Sequence, residues 1–159
     1  MMIKINKKQT YKITLYVIGG YQILGSLVGL NFLFKDGAPL LLRYPIAFLL
    51  IFVVFLFGAY CGGMLFKQEK TRGINLSLLN QSFQLVQFKL FGYGLEFVSG
   101  TYLAIGLTNK PNFSFYYYQA DIRAVFYFTF RGSGNENFFL INLIALFIFI
   151  LLLYIKEKY

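Results

Sequence analysis

Two long uncharged stretches dominate the first half of the chain. Residues 13–34 form a run of 22 residues without a charge, and residues 44–66 form a run of 23. As helices they would rise about 33 and 35 Å, enough to cross a hydrocarbon core of about 30 Å. Pro45 stands where the first turn of a helix tolerates proline. We therefore expect two transmembrane helices here.

A third apolar run lies near the end of the chain. Residues 138–155 number 18, and Asn142 is their one strongly polar member. Charged residues follow directly, at Lys156, Glu157 and Lys158. A membrane-spanning helix needs about 17–25 residues, so the run predicts a short third transmembrane helix.

The middle of the chain begins with a polar stripe. Over residues 76–91, polar side chains recur at spacings of three and four with apolar residues between them, which predicts an amphipathic helix. Such a helix would lie in the membrane interface or over a small extramembrane core, or its stripe would line a cavity or contact a partner. The stripe consists of Ser77, Asn80, Gln81, Gln84 and Gln87.

Further along, the apolar period shortens to two, the period of a strand with one buried face. Residues 121–131 alternate in this way, and residues 113–116 do so after a turn signal around Pro111. These two adjacent runs predict a hairpin. Residues 96–107 are rich in aromatic and β-branched side chains, which indicates another strand.

These patterns predict a polytopic α-helical integral membrane protein. We expect a basic segment and two-span hairpin over residues 1–72, an amphipathic-helix and strand element over residues 73–137, and a third span within residues 138–159. The alternative is four spans, with the extra one between residues 76 and 107. That span would hold Lys89 or Glu96, at a cost of about 2.5–3.5 kcal/mol for a charge at its centre, so we favour three spans.

The charge of the chain predicts its orientation. Fifteen basic and six acidic residues, without histidine, give a net charge of +9. Seven basic residues flank one side of the first two spans and two flank the other, which places the N-terminus in the cytoplasm. The basic residues cluster at span ends without interleaved aromatics, so we expect contact with anionic lipid headgroups and none with nucleic acid. The short length and the abundance of Phe, Ile, Lys and Asn favour a bacterial inner membrane.

Small residues in the first two spans indicate close helix packing. Glycines four apart let two helix backbones approach each other. By depth, Gly19 and Gly20 are level with Gly58 and Gly62 and could pack against them. Gly25 and Gly29 would then pack elsewhere in the chain or against another copy or subunit.

Three amides fall inside the predicted spans. Gln22 and Asn31 lie on the first span and Asn142 on the third. Such amides seek hydrogen-bond partners on other helices. They would join the helices together or line a pore.

The inventory of reactive residues argues against catalysis. The chain has no histidine and one cysteine, Cys61, and its six acids are scattered. Metal and cofactor sites and activated nucleophiles commonly need such groups together, so we expect no enzyme, no cofactor and no metal. We expect a small structural or interaction subunit of a membrane assembly, in contact with lipid and with further copies or other subunits. The alternative is a homo-oligomeric channel or membrane-permeabilising effector gated by a ligand or partner.

Overall fold

A computed structural model of the protein describes residues 7–67, 70–109, 114–129 and 137–158. Within them the chain is a mixed α/β fold of five helices and a four-stranded antiparallel sheet. The helices are α1 (Lys7–Asp36), α2 (Ala38–Arg43), α3 (Pro45–Met64), α4 (Lys70–Leu85) and α5 (Leu143–Lys158). The strands are β1 (Val86–Leu90), β2 (Tyr93–Thr108), β3 (Ser114–Thr129) and β4 (Phe138–Asn142).

The prediction of a polytopic α-helical protein with three spans is wrong. Among the described residues, two helices, α1 and α3, are long and apolar enough to cross a membrane by length and composition. The four-span alternative is also wrong, because residues 76–107 are divided among α4, β1 and β2.

The predicted third span divides at Asn142, for two physical reasons. Its first five residues form β4, which pairs with both β1 and β2. The Asn142 side-chain oxygen then accepts hydrogen bonds from the Ile144 and Ala145 amides, at 3.1 and 3.3 Å, and so caps α5. The 16 residues of α5 rise about 24 Å, less than a hydrocarbon core of about 30 Å.

Helices α1 and α3 run antiparallel in close contact. A Cβ atom on Gly62 would lie 2.5 Å from the Gly19 carbonyl oxygen. Farther along, the Phe34 and Phe48 rings are 6.1 Å apart. The start of α1 therefore lies beside the end of α3.

The last turn of α5 lies at that same end of the molecule. The rings of Tyr11 and Tyr154 are 6.2 Å apart. At this end, α1, α4 and α5 share an apolar core with Leu65, the residue that follows α3. Its buried members are Leu15, Ile18, Leu65, Ile74, Leu78, Ile148, Leu152 and Ile155.

The sheet is organised around the long strand β2. One edge of β2 pairs with β3 from Gly94 to Thr108, with a bulge between Ala104 and Gly106. Its other edge pairs with β1 near its start and with β4 near its end. The residues predicted as a hairpin, 113–131, form one continuous strand, β3, over residues 114–129; residues 113, 130 and 131 lie outside the described chain.

The sheet packs against the second half of α1 and contacts the middle of α3. A Cβ on Gly25 would lie 2.6 Å from the Ser99 carbonyl oxygen, and the Phe55 and Phe97 rings are 6.0 Å apart. One end of the fold is thus a helix bundle, and at the other the sheet takes the place of α4 and α5. The chain passes from α4 directly into β1 between Leu85 and Val86.

Candidate functional site

Helix α4 buries a row of polar side chains and exposes two large apolar ones on another side. Leu79 is 46 % exposed and Phe83 50 % exposed. The buried row is Ser77, Asn80, Gln81 and Gln84, none of them more than 3 % exposed. A surface helix of a water-soluble protein has the opposite arrangement. Four residues of the predicted stripe therefore face the interior of the fold from α4. The fifth, Gln87, lies on β1, because the helix ends at Leu85 and does not continue to residue 91 as predicted.

Eight polar side chains, which we term the buried polar cluster, meet between α1, α4 and the sheet. Each is at most 3 % exposed. The cluster consists of Gln22 and Ser26 of α1, Ser77, Asn80, Gln81 and Gln84 of α4, Gln87 of β1, and Ser99 of β2. All are amides or hydroxyls, so the cluster acts on other groups through neutral hydrogen bonds.

Ser77 connects three helices within the cluster. Its hydroxyl donates a hydrogen bond to Gln22 Oε1 at 3.1 Å, and its oxygen lies 3.4 Å from the Cys61 carbonyl. The Cys61 thiol in turn lies 3.4 Å from the Leu76 carbonyl oxygen. Cys61 is fully buried, and its contacts are those of a packing residue.

The cluster lies beside a part of β2 whose second edge has no neighbouring strand in the described chain. Between residues 96 and 103, the second edge of β2 pairs with no strand of the described chain. There the Ser99 amide donates to Gln84 Oε1 at 3.1 Å, and the Tyr21 hydroxyl donates to the Thr101 carbonyl at 3.1 Å. Side chains from two helices thus satisfy backbone groups that a neighbouring strand would otherwise bind.

Tyr102 joins the cluster from the sheet side. Its hydroxyl donates a 2.6 Å hydrogen bond to Gln87 Oε1, and both side chains are fully buried. Tyr102 also packs with Val98 and Ala104 in a small core on that face of β2. The helix-to-strand junction is therefore tied to β2 by one strong polar contact.

Six side-chain atoms of the cluster have no hydrogen-bond partner among the described residues. They are Gln22 Nε2, Ser26 Oγ, Asn80 Oδ1, Gln81 Nε2, Gln87 Nε2 and Ser99 Oγ. A buried polar atom without a partner costs about 1–3 kcal/mol. The cluster therefore has unused capacity to bind a hydrogen-bonding molecule.

Gly58, Gly62 and Gly19 form the close contact between α1 and α3. Besides the contact of Gly62 with Gly19, a Cβ on Gly58 would lie 2.5 Å from Ser26 Oγ. Gly20, which the sequence groups with Gly19, has nothing within 4 Å of its Cβ position.

Gly25 and Gly29 also pack within the chain. Gly25 lies against the backbone of β2 at Ser99, and Gly29 lies against the ring of Phe55. Both glycines therefore contact other elements of this chain.

The amides predicted inside the spans have three different environments. Gln22 belongs to the cluster, Asn31 is exposed on α1, and Asn142 is 1 % exposed and caps α5. Sequence reasoning missed Ser26, Ser99 and Tyr102. Ser26 follows Gln22 by one helical turn, a spacing that could have indicated it. Ser99 and Tyr102 carry no such signal, because their partners lie on other elements.

An apolar groove adjoins the cluster. It has a volume of about 510 Å³ and lies between α3, α4 and the sheet. It is lined by Val53, Val54, Phe57, Leu79, Phe83, Leu95, Phe97 and Phe126. Its volume falls within the range of about 300–1,000 Å³ that is typical of ligand pockets.

The groove and the cluster use neighbouring residues of the same elements. Leu79 and Phe83 of α4 line the groove, and Asn80 and Gln84 directly follow them in the cluster. Within the described residues, no three His, Cys, Asp or Glu side chains lie close enough to hold a metal ion. No family model, curated protein or solved structure matches the chain.

Proposed function

We propose that the chain is a non-catalytic integral membrane protein that acts as a structural or interaction subunit of a membrane assembly. The observation that carries this proposal is that α4 exposes the large apolar side chains of Leu79 and Phe83 while it buries Asn80 and Gln84. Exposing these two side chains to water is unfavourable, whereas lipid tails are as apolar as leucine.

The two long helices support the same location. Helices α1 and α3 contain 30 and 20 residues and rise about 45 and 30 Å. Large apolar side chains are exposed along both of them, such as Val17 and Leu24 of α1 and Ile46 and Leu50 of α3. Contact with acyl chains would cover this surface.

The edge strand β3 supports a role in an assembly. It is 16 residues long and stands at the end of the strand order, so its outer edge pairs with no other strand of the described chain. The sheet packs at the level of Gly25, well inside the candidate span. An unsatisfied backbone group in hydrocarbon costs several kcal/mol, and a strand from a second copy or another subunit would satisfy this edge.

We further propose a bacterial inner-membrane location with the N-terminus in the cytoplasm. The antiparallel pairing of α1 and α3, and the contact of Tyr11 with Tyr154, bring seven of the described basic residues to one end of the fold. These are Lys7, Lys8, Lys12, Lys67, Arg72, Lys156 and Lys158, whereas Lys35 and Arg43 lie at the other end. The positive-inside rule assigns the more basic end to the cytoplasm.

Cysteine labelling in intact cells tests this location and orientation. The background is Cys61→Ala, and single cysteines replace Lys8, Lys158 or Arg43. We expect an impermeant maleimide to label Arg43→Cys from outside and to label the other two only after the membrane is opened. Extraction of the protein from membranes by alkaline carbonate, or equal labelling of all three positions, would contradict the proposal.

Crosslinking tests the assembly at β3. Phe128 on β3 and Phe147 on α5 are 66 % and 65 % exposed, so Phe128→Cys and Phe147→Cys form a matched pair in the Cys61→Ala background. We expect a bifunctional maleimide to crosslink Phe128→Cys to a second chain in membranes and to leave Phe147→Cys monomeric. A strictly monomeric protein in mild detergent, without crosslinked partners, would refute the role as a subunit.

The channel alternative receives less support. The polar side chains that would line a path belong to the buried polar cluster, whose members are each at most 3 % exposed. A path lined by them would have to open through the packed interior of a single chain. Ion flux from protein-containing vesicles that Gln22→Leu abolishes would favour the channel over the structural subunit.

A further inference from the structure

We propose that the apolar groove and the adjoining side of the buried polar cluster form one binding site for a neutral amphiphile. The ligand would have a single hydrocarbon chain in the groove and an uncharged, hydroxyl-bearing head group bound by Ser26, Asn80 and Ser99. This inference goes beyond the proposed function. It relies on the proposed membrane location only for the source of the ligand.

The groove selects a hydrocarbon chain. All of its lining side chains are apolar, and four elements contribute phenylalanines: Phe57, Phe83, Phe97 and Phe126. Its volume of about 510 Å³ suits a ligand of lipid-chain size rather than a single solvent molecule. A polar ligand would lose its hydration there without gaining hydrogen bonds.

The proposed head-group contacts lie next to groove-lining residues on three elements. On α4, Leu79 lines the groove and Asn80 directly follows it. On α3, Val54 lines the groove and Gly58 comes one turn later, where Ser26 Oγ and Asn80 Oδ1 lie 2.5 and 3.6 Å from its Cβ position. On β2, Phe97 and Ser99 are two residues apart and share a face.

These polar atoms fit a hydroxyl. Ser26 Oγ, Asn80 Oδ1 and Ser99 Oγ are buried and without partners among the described residues. A ligand hydroxyl can donate to the Asn80 oxygen and accept from a serine hydroxyl. Neither the groove nor the cluster contains a charged side chain, so a charged head group would lose its hydration without gaining an opposite charge.

Tryptophan quenching by brominated lipids tests the site, because the chain has no tryptophan of its own. Phe83→Trp reports on the groove, and Leu49→Trp, at a position 59 % exposed on α3 outside the groove lining, is the matched control. Both variants are placed in phosphatidylcholine vesicles that contain increasing amounts of a monoacylglycerol with a dibrominated chain.

We expect quenching of Phe83→Trp to saturate at a mole fraction at least about tenfold below that needed at Leu49→Trp. Leu79→Trp is a second groove reporter if the larger ring at position 83 fills the groove. Parallel, non-saturating quenching at groove and control positions would overturn the proposed site.

Head-group variants test the polar contacts. Ser26→Ala and Ser99→Ala should each weaken monoacylglycerol binding about fivefold, as expected for one lost hydrogen bond, and leave binding of a dibrominated alkane of equal length unchanged. Asn31→Ala, which removes an exposed amide of α1, is the control and should change neither. Equal binding of both probes by all variants would overturn the head-group assignment.

The membrane location is tested separately with dibrominated phosphatidylcholine. Its failure to quench Leu49→Trp would refute that location. The proposed site is tested by saturable binding of the monoacylglycerol at the groove reporters. This binding can also be measured in detergent micelles, without a bilayer.

Discussion

The contact between α1 and α3 predicts opposite effects for alanine at two adjacent glycines. A methyl group at Gly62 would lie 2.5 Å from the Gly19 carbonyl oxygen, 2.9 Å from the Ile23 side chain and 3.1 Å from Gln22 Cβ. At Gly63 it would meet nothing within 4 Å. Both substitutions gain about 1 kcal/mol of helix propensity, so their difference isolates the steric cost.

That cost can be estimated from the nature of the contact. The nearest atom to the new methyl group at position 62 is backbone, which cannot turn aside as a flexible side chain can. Overpacking of this kind costs about 1–3 kcal/mol. At about 2–4 °C per kcal/mol for a chain of this length, Gly62→Ala should melt about 2–12 °C below Gly63→Ala.

The single buried cysteine supplies the assay. Cys61 is fully buried, so a fluorogenic maleimide reacts with it only when the fold opens. We expect Gly63→Ala to melt at or above the temperature of the unsubstituted protein and Gly62→Ala below it. Equal melting temperatures for the two variants would refute the close approach of α3 to α1 at this level.

Three further substitutions test the cap, the sheet contact and the strained glycine by the same melting measurement. Asn142→Ala should cost about 0.5–2 kcal/mol by removing the cap of α5, and Asn142→Ser should recover most of the loss; equal stability of all three proteins would contradict the cap. Tyr102→Phe should cost about 1–3 kcal/mol of stability because it leaves Gln87 Oε1 buried without its donor. Adding Gln87→Leu should recover part of that stability, and additive losses would contradict the hydrogen bond between the two side chains. Gly100→Ala should cost at least about 1–2 kcal/mol, because Gly100 has φ +112° and its Cβ position lies 3.0 Å from the Tyr21 hydroxyl, and no loss would contradict that geometry.

The long helices could be predicted from the sequence because their signal is local. Residues 13–34 lie within α1, and residues 45–64 of the second predicted span form α3. An uncharged run of this length has few alternatives to a helix. The strand over residues 96–107 lies within β2 for a similar reason, since its aromatic and β-branched composition favours a strand.

The third span could not be judged from hydropathy alone. The residues from Phe138 to Ile155 are apolar apart from Asn142 and Tyr154, and a strand and a helix bury such residues equally well. Only the pairing of β4 with β1 and β2, which are distant in sequence, decides where the helix begins. Asn142 is a polar interruption of the apolar run, but its role as a cap depends on that pairing.

The sequence likewise could not predict whether the polar stripe faces the interior or the surface. Periodicity shows that Ser77, Asn80 and Gln84 share one side of a helix, but it does not show which side is covered. The answer depends on Gln22 and Ser26 of α1 and on Ser99 of β2, which supply polar surroundings from elsewhere in the chain. The site is therefore a tertiary property, assembled from three segments.

The direct passage from α4 into β1 locks two periodicities together. A slip of α4 by one residue along its axis would turn it by about 100° and bring the row of Leu79 and Phe83 toward the place of Asn80 and Gln84. With no loop to absorb the slip, β1 would shift by one residue as well, and every side chain from Val86 to Leu90 would change face. A register shift in the helix therefore also requires a register shift in the strand, and the reverse. Each element disfavours a shift that the other could accommodate if it stood alone.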